Sequence, residues 1–265
     1  ANSALYKDKE EMEALQIGAV QMLAPSLAKF GPLGVKEFEA FDLPFIFDDR
    51  DDLHKITQGP VGASLLAKLE PKGIKGLAYW DNGFKAFSAN TPLKTPADFK
   101  GKKFRIQSSK VLEEEIRSVG GIPQVMAFSE VYQALQTGVV DGTENPWSNT
   151  YSKKFHEVQK YIMDTDHGVL DYMVITNAKW WAGLPPDVQK GLKAAMDESI
   201  AYGNKAAFQE ALSFRDKVIA DKKAEVVPMT KEQKAAWRAA MKPVWKKFEG
   251  EIGKNLIDAA LRANQ

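Results

Sequence analysis

Apolar residues recur along this chain at two spacings, every second position and every third or fourth, and the two alternate. Around residues 103–107, Phe104 and Ile106 face one way while Lys103, Arg105 and Gln107 face the other, the pattern of a strand with one side in a core. Residues 8–17 are spaced for a helix, with acids in its first turn, Met12 and Leu15 on one face and Gly18 placed to close it. Residues 19–24 switch to an apolar, strand-like run ended by Pro25. The aromatic stretch Phe41-Asp42-Leu43-Pro44-Phe45-Ile46-Phe47 is interrupted by proline, which predicts extended, buried chain. Residues 49–69 have helical composition, broken or kinked at Gly59-Pro60. Two strands, 74–80 and 84–89, are expected on either side of a turn at Asp81-Asn82-Gly83.

Capping residues mark the helices of the middle of the chain. Thr95-Pro96-Ala97-Asp98 is a helix start, and Ser109 caps a helix carrying Leu112, Ile116 and Val119 that Gly120-Gly121 stops. Residues 123–126 read as a short strand, Ser129 as the cap of a helix over 130–137, and 139–142 as extended chain. From Pro185-Pro186, Val188, Leu192 and Met196 step by four and open a helical pattern that runs to about residue 221. It exceeds the roughly 8–20 residues of ordinary globular helices, so it is expected to bend or to brace more than one unit. A short strand over 224–227 precedes a capping box, Thr230 with Gln233, and an amphipathic helix with Trp237, Met241 and Trp245. This alternation argues an α/β architecture with largely parallel sheets. With no internal repeat and no low-complexity linker, two lobes would be joined by crossing strands and the long helix.

Composition narrows the function. Thirty-six Lys and Arg against 35 Asp and Glu leave a formal charge of +1, without the electrostatic footprint of a nucleic-acid binder. No stretch approaches the roughly 18 apolar residues of a membrane span. There is no cysteine, which excludes thiol nucleophiles, disulfides and Cys-based zinc sites, and suits an oxidising compartment. His54, His156 and His167 are scattered, with no HxH or HxxxH pair, so they read as surface or structural residues and no metal site is expected. GxGxxG, GxxxxGKS/T and GxSxG are all missing, and no cofactor is expected. The acidic runs Glu113-Glu114-Glu115 and Asp48-Asp49-Arg50-Asp51-Asp52 fan over several helix faces and read as solvated surface.

Arg105 is the informative position. Its neighbours Phe104 and Ile106 pin it in a strand, and its guanidinium is a rigid fork matched to a carboxylate. Local sequence alone weighs toward a salt bridge at a sheet edge, and toward a turn role for Asn145 before Pro146.

The run Met126-Ala127-Phe128-Ser129-Glu130-Val131-Tyr132-Gln133-Ala134-Leu135-Gln136-Thr137-Gly138-Val139-Val140-Asp141-Gly142-Thr143-Glu144-Asn145-Pro146 resembles the signature of TRAP-transporter substrate-binding proteins, the DctP family. Lys103-Phe104-Arg105-Ile106-Gln107 is similar to that family's arginine strand, 40 residues ahead of the asparagine. Trp80-Asp81-Asn82-Gly83-Phe84, Phe41-Asp42-Leu43-Pro44-Phe45 and Leu184-Pro185-Pro186-Asp187-Val188 match as well, so the resemblance covers essentially the whole chain.

The resemblance implies a two-lobed, periplasmic-binding-protein-like α/β fold with hinge strands and a long helix spanning both lobes. Lobe I would comprise residues 1–82 plus 171–210, and lobe II 83–170 plus 211–265. It implies a non-enzymatic, extracytoplasmic protein of the periplasm that closes on a small organic acid and delivers it to the TRAP membrane permease subunits. A C4-dicarboxylate is the expected ligand; a 2-oxo acid, sugar acid or aromatic acid, or an enzyme acting on a carboxylic acid, are the alternatives. Arg105 would form a two-pronged salt bridge with the ligand carboxylate, Asn145 would hydrogen-bond the same group, and Phe128 would pack on the ligand body. Lys85 would meet a second acidic or polar group, and Ser26, ending the run Ala24-Pro25-Ser26, would supply a hydroxyl. Gln107, Trp80, Trp147, Asn149 and Tyr172 occupy stretches that line the cleft in the family. The sequence Ala1-Asn2-Ser3-Ala4-Leu5-Tyr6 resembles a point past the family's opening strand and helix, so no signal peptide and an incomplete first lobe are expected.

Overall fold

A computed structural model of the protein describes residues 5–8 and 10–265, and Ala1-Asn2-Ser3-Ala4, where the expected break in the first lobe falls, lies outside them. The strands are β1 (Met22–Leu23), β2 (Ile74–Phe84), β3 (Ala86–Ala89), β4 (Lys103–Ile106), β5 (Ile122–Val125), β6 (Gly142–Asn145), β7 (Tyr161–Asp164), β8 (Val169–Asn177) and β9 (Glu225–Pro228). The α-helices are α1 (Glu11–Gln16), α2 (Arg50–Thr57), α3 (Pro60–Ala67), α4 (Lys110–Ser118), α5 (Val131–Gln136), α6 (Trp147–Ser152), α7 (Ala178–Ala182), α8 (Pro186–Asp221), α9 (Lys231–Ile252) and α10 (Lys254–Ala263).

The strands form two sheets, a two-lobed α/β arrangement. The smaller sheet, β1-β8-β2, is antiparallel throughout. The larger has the order β5-β4-β6-β3-β7-β9 and is mixed: β4 runs parallel to β5 and β6, and β7 to β9, while β3 lies antiparallel between β6 and β7. Largely parallel sheets were expected from the alternation of elements; parallel pairing is confined to parts of the larger sheet, because β3 enters it directly from β2 without a crossover helix.

That entry overturns a second expectation. Asp81-Asn82-Gly83 does not make a hairpin; β2 runs through it as one strand of 11 residues, with a register shift against β8 between Trp80 and Gly83. Distant side chains satisfy the backbone there: Asp81 N–H donates to Asn204 Oδ1 on α8 (3.0 Å) and Asn82 N–H to Asp171 Oδ1 on β8 (2.8 Å). Other departures are local. Of residues 19–24 only Met22–Leu23 pair as strand. Residues 41–47 are buried but not extended: Phe41-Asp42 ends a 3₁₀ helix, Lys36–Asp42, and the chain then turns at Pro44-Phe45, with Phe45 left-handed at φ 57°. Ser129 sits inside a 3₁₀ turn, Phe128–Glu130, so Glu130 precedes α5 instead, and pairing after Gly138 starts only at Gly142.

Elsewhere the local signals operate as physics requires. The chain breaks between α2 and α3 at Gly59-Pro60, and a Cβ on Gly62 would lie 2.2 Å from the Thr57 carbonyl oxygen, so only glycine fits that approach. Ser109 caps α4, and both bonds of the Thr230–Gln233 capping box form (2.9 and 3.2 Å). Helix α8 has 36 residues, about 54 Å at 1.5 Å per residue. It reaches both sheets: Gly203 and Asn204 meet β2 at Trp80 and Asp81, and Arg215 Nη2 lies 2.9 Å from Asp164 Oδ2 of β7.

Two large cores sit beneath the sheets. One gathers Phe30, Phe38, Phe41 and Phe47 with Ile175 of β8; the other gathers Phe87, Phe99, Phe104 and Trp237. Helix α9 bridges them. Trp237 and Met241 belong to the second core, while Val244, Phe248 and Ile252 belong to the first, and Pro243 lies at the change-over. Residues 244–263, α10 included, therefore pack with the first core. Among the described residues no helix is long and apolar enough to cross a membrane.

Candidate functional site

The alternation of β4 puts Phe104 and Ile106 into the core, each without exposed surface, and turns Arg105 to the other side. There it is 2% exposed and lines a cavity of about 160 Å³. Its Nε and Nη2 both donate to the Met126 carbonyl (3.0 and 2.9 Å), and its guanidinium lies 5.5 Å from the centre of the Phe128 ring. Two of five donors are thus taken by a neutral oxygen, which positions the group without cancelling its charge. Burial lowers the guanidinium to about 10, partly opposed by Asp8 and Glu144, so it stays cationic at neutral pH.

A second cation faces the same space. Ser26 caps a 3₁₀ turn, its Oγ accepting from Ala28 N–H (3.3 Å), and the turn carries Lys29, 7% exposed, to the cavity wall. Lys29 Nζ lies 2.9 Å from Asp8 Oδ2, and Arg105 Nη2 lies 3.9 Å from the same oxygen. Asp8 Oδ1 accepts from Phe128 N–H (3.0 Å). Burial pushes Asp8 upward, but Lys29, the Phe128 amide and Arg105 outweigh it and hold its carboxyl below the usual range. Glu11, opening α1, also lines the cavity, and burial raises it to about 7.

Asn145 ends β6 at 1% exposure; its Nδ2 donates to Thr143 Oγ1 (3.1 Å) and its Oδ1 is buried without a partner. Gln107 and Phe128 complete this wall. Opposite, Asn82 Nδ2 donates to Asn149 Oδ1 (3.2 Å) and the Tyr172 hydroxyl (3.0 Å), and Ser26 bridges Tyr172 through the backbone. The structure thus brings Arg105, Asn145, Phe128, Ser26, Gln107, Asn149 and Tyr172 around one cavity. Trp80, exposed, lines a neighbouring hollow with Ser148 and Gly203, and Trp147 lines a third.

Lys85 is not brought to the cavity. It is 1% exposed, and its Nζ lies 2.8 Å from Glu144 Oε2, which also meets His167 Nε2 at 2.8 Å. Glu115 Oε1 is 3.6 Å from His167, and Asp42 Oδ2 accepts from Ser109 Oγ (2.7 Å). This corrects the reading of Glu113-Glu114-Glu115 as solvated: Glu115 is 1% exposed, because the third acid of the run points inward to this buried cluster. Burial pushes Glu144 up, but Lys85 and His167 outweigh it and hold it low, whereas burial lowers His167 to about 4. Glu115, Glu144 and His167 converge closely enough to hold a metal ion. Lys85 already supplies the positive charge such a trio calls for.

Sequence reasoning missed Asp8, Glu11 and Lys29. For Lys29 a signal existed: one lysine inside Leu27-Ala28-Lys29-Phe30, whose other members are all buried. Asp8 and Glu11 look like ordinary helix-opening acids, and nothing local separates them from that role.

The chain matches the family model "Bacterial extracellular solute-binding protein, family 7", named DctP, over residues 1–251. It is 59% identical over 262 residues to the C4-dicarboxylate-binding periplasmic protein DctP of Rhodobacter capsulatus, covering 99% of this chain and 78% of that protein. Among solved structures it superposes with a TM-score of 0.98 and 47% identity on a TRAP periplasmic solute-binding protein of Shewanella oneidensis holding succinate, covering 100% of this chain and 86% of the other. A Pseudomonas aeruginosa counterpart with bound L-malate gives a TM-score of 0.90 at 42% identity, over 93% and 85% of the two chains.

Proposed function

The chain belongs to the DctP family of bacterial extracellular solute-binding proteins, and from that premise we propose that it captures a C4-dicarboxylate in the cavity at Arg105 and delivers it to a TRAP permease in the periplasm. The observation that carries this reading is the pair of buried cations, Arg105 and Lys29, both within 4 Å of one carboxylate oxygen of Asp8. A dianion needs two such partners, and the small cavity, about 160 Å³ against the roughly 300–1,000 Å³ of drug-sized sites, suits a short one. The relatives with succinate and L-malate support the same ligand class.

In this reading Arg105 takes one carboxylate through its free donors and Lys29 takes the other, with Phe128 against the carbon chain. The Asn145 amide turns over, so that Thr143 Oγ1 donates to its carbonyl and its N–H₂ faces the ligand; the hydroxyl is competent as donor or acceptor. Ser26, Gln107, Asn149 and Tyr172 supply the remaining polar contacts. Trp80, Trp147 and Lys85 act from outside the first layer, Lys85 by holding Glu144 beside Asn145. The family is one of solute-binding proteins, and no catalytic step is assigned.

A charge-assisted hydrogen bond contributes roughly 1.5–3 kcal/mol, whereas micromolar affinity requires about −8.2 kcal/mol. Arg105 alone is therefore insufficient, and closure of the lobes, which removes water from the ion pairs, supplies the difference. The lobes turn on β2 and β8, with residues 10–82 and 171–210 moving against 83–170 and 211–243, and residues 244–263 travelling with the first group.

Calorimetry with succinate, L-malate and galacturonate tests this. Succinate and malate are expected to bind at micromolar level, and Arg105→Ala to abolish that binding with the fold intact by circular dichroism. Unchanged affinity in Arg105→Ala removes this site from the function, and preference for galacturonate replaces the dicarboxylate by a sugar acid.

A further inference from the structure

The cavity at Arg105, about 160 Å³, adjoins the hollow at Trp80, which is larger at about 440 Å³. Among the described residues the two spaces share only Ala24 and Tyr172 in their linings. Ala24 offers a methyl group, so Tyr172 is the one large side chain at the boundary. The alternation of β8 sends Met173 into the first core and puts Tyr172 on the opposite face, in register with Trp80 of β2.

Tyr172 is held at both ends. Its backbone bridges Ser26, and the next amide, Met173 N–H, donates to the Pro25 carbonyl (3.0 Å). Its hydroxyl accepts from Asn82 Nδ2 (3.0 Å), and the same Nδ2 donates to Asn149 Oδ1 (3.2 Å). Asn82 lines the larger hollow and Asn149 the cavity at Arg105, so the phenol ends at the seam between them. A ring tied through backbone and hydroxyl does not swing aside without giving up a hydrogen bond.

Beyond the seam the walls suit an apolar chain. Trp80, 41% exposed, leaves its indole open to contact, and α8 adds Gly203, Ala206 and Ala207. Of the two acids there, Glu210 is exposed to solvent, and Asp81 lies 2.7 Å from His54 and 3.4 Å from Arg50. An acid anchored on Arg105 thus has space for a longer body in this direction, and Tyr172 stands in the way. We propose that Tyr172 is the specificity-determining residue of the site, a wall that admits short acids and excludes acids with an aromatic or extended apolar body. This role rests on the assignment of acid binding to the cavity at Arg105. It is one of volume: removing the ring joins the two spaces, whereas removing the hydroxyl leaves the wall standing.

Calorimetry of the full chain with succinate and 4-phenylbutyrate tests it, with folding checked by circular dichroism. The parent should bind 4-phenylbutyrate at least about tenfold more weakly than succinate. Tyr172→Ala, and Tyr172→Val with its higher strand propensity, should each bind 4-phenylbutyrate at least about tenfold better than the parent does. Adding Ala207→Phe, which refills the hollow from α8, should cancel that gain. Tyr172→Phe should keep the parent's preference, with succinate weakened by no more than about tenfold, the worth of one neutral hydrogen bond. In the parent, Ala207→Phe alone should leave succinate affinity unchanged. Equal binding of both acids by the parent, no gain in the folded Ala or Val variant, the same gain in Tyr172→Phe, or loss of succinate in folded Ala207→Phe overturns this role alone. No succinate binding by the parent overturns the acid-binding function, and this role with it.

Discussion

At the scale of single residues, the cavity at Arg105 draws three of its charged side chains, Asp8, Glu11 and Lys29, from the first 29 positions. In the proposed reading Lys29 partners a second carboxylate, so Lys29→Met should cost succinate about 10–100-fold in affinity, the worth of one charge-assisted hydrogen bond. Butyrate, which carries a methyl group where succinate has that carboxylate, should bind the variant and the parent alike. An equal loss for both acids assigns Lys29 to holding Asp8 in place. Glu11 adds a pH dependence. Burial raises it to about 7, so it gains a negative charge as pH rises through 7 and then opposes a dianion. Succinate should bind more tightly at pH 6 than at pH 8, and Glu11→Gln should flatten the difference; a parent affinity independent of pH across that interval excludes Glu11 from the electrostatics of the site. Arg105 was legible in sequence because one residue on either side sets its direction. Asp8 and Glu11 were not, since their role depends on Lys29, Phe128 and Arg105, up to 120 positions away.

At the scale of elements, capping chemistry and apolar spacing located most helices, and the same terms set their stability. Thr230→Ala removes the hydroxyl of a complete capping box, and should lower stability by about 1 kcal/mol in urea unfolding with succinate affinity unchanged. A loss indistinguishable from zero means that α9 is held by its packing alone. The long helix was readable as one element because its signal, an apolar step of four between Pro185-Pro186 and the 221 region, is local. Strand β2 was not. Asp-Asn-Gly is a strong turn signal, and it is overruled by Asn204 and Asp171, which lie 123 and 89 residues from the amides they accept. Phe41-Asp42 departs from extended chain for a related reason: both end the 3₁₀ helix Lys36–Asp42, whose Phe38 and Phe41 are buried in one core.

At the scale of the molecule, the buried acids make stability depend on pH with a definite sign. Asp42 and Asp171 are raised by burial from 3.8 to about 7 and about 8. The folded chain keeps protons that the unfolded chain releases, so this stabilisation is complete below pH 3.8 and is lost as pH rises through 7 and 8. His167 runs oppositely: burial lowers it from 6.5 to about 4, and its contribution is complete above 6.5 and lost as pH falls through 4. The two slopes oppose one another between 4 and 6.5. Between 6.5 and 8 only the carboxyls change, so Tm should fall across that interval, and Asp171→Asn should flatten its upper end. A Tm that rises from pH 6.5 to 8 contradicts this balance of buried groups.

What the chain's order of residues determined by itself is whatever depends on neighbours within about four positions: the helix starts at Ser109 and Thr230, the break at Gly59-Pro60, the long α8, and the side of β4 on which Arg105 stands. Tertiary structure alone decided which of two buried lysines meets the cavity at Arg105. Lys85 lies beside Glu144 and Lys29 beside Asp8, and either pairing satisfies the local pattern equally. The physical reason is desolvation: a buried ammonium settles where a carboxylate is buried with it, and those meetings exist only once the turn at Lys29 packs against Asp8 and β3 pairs with β6.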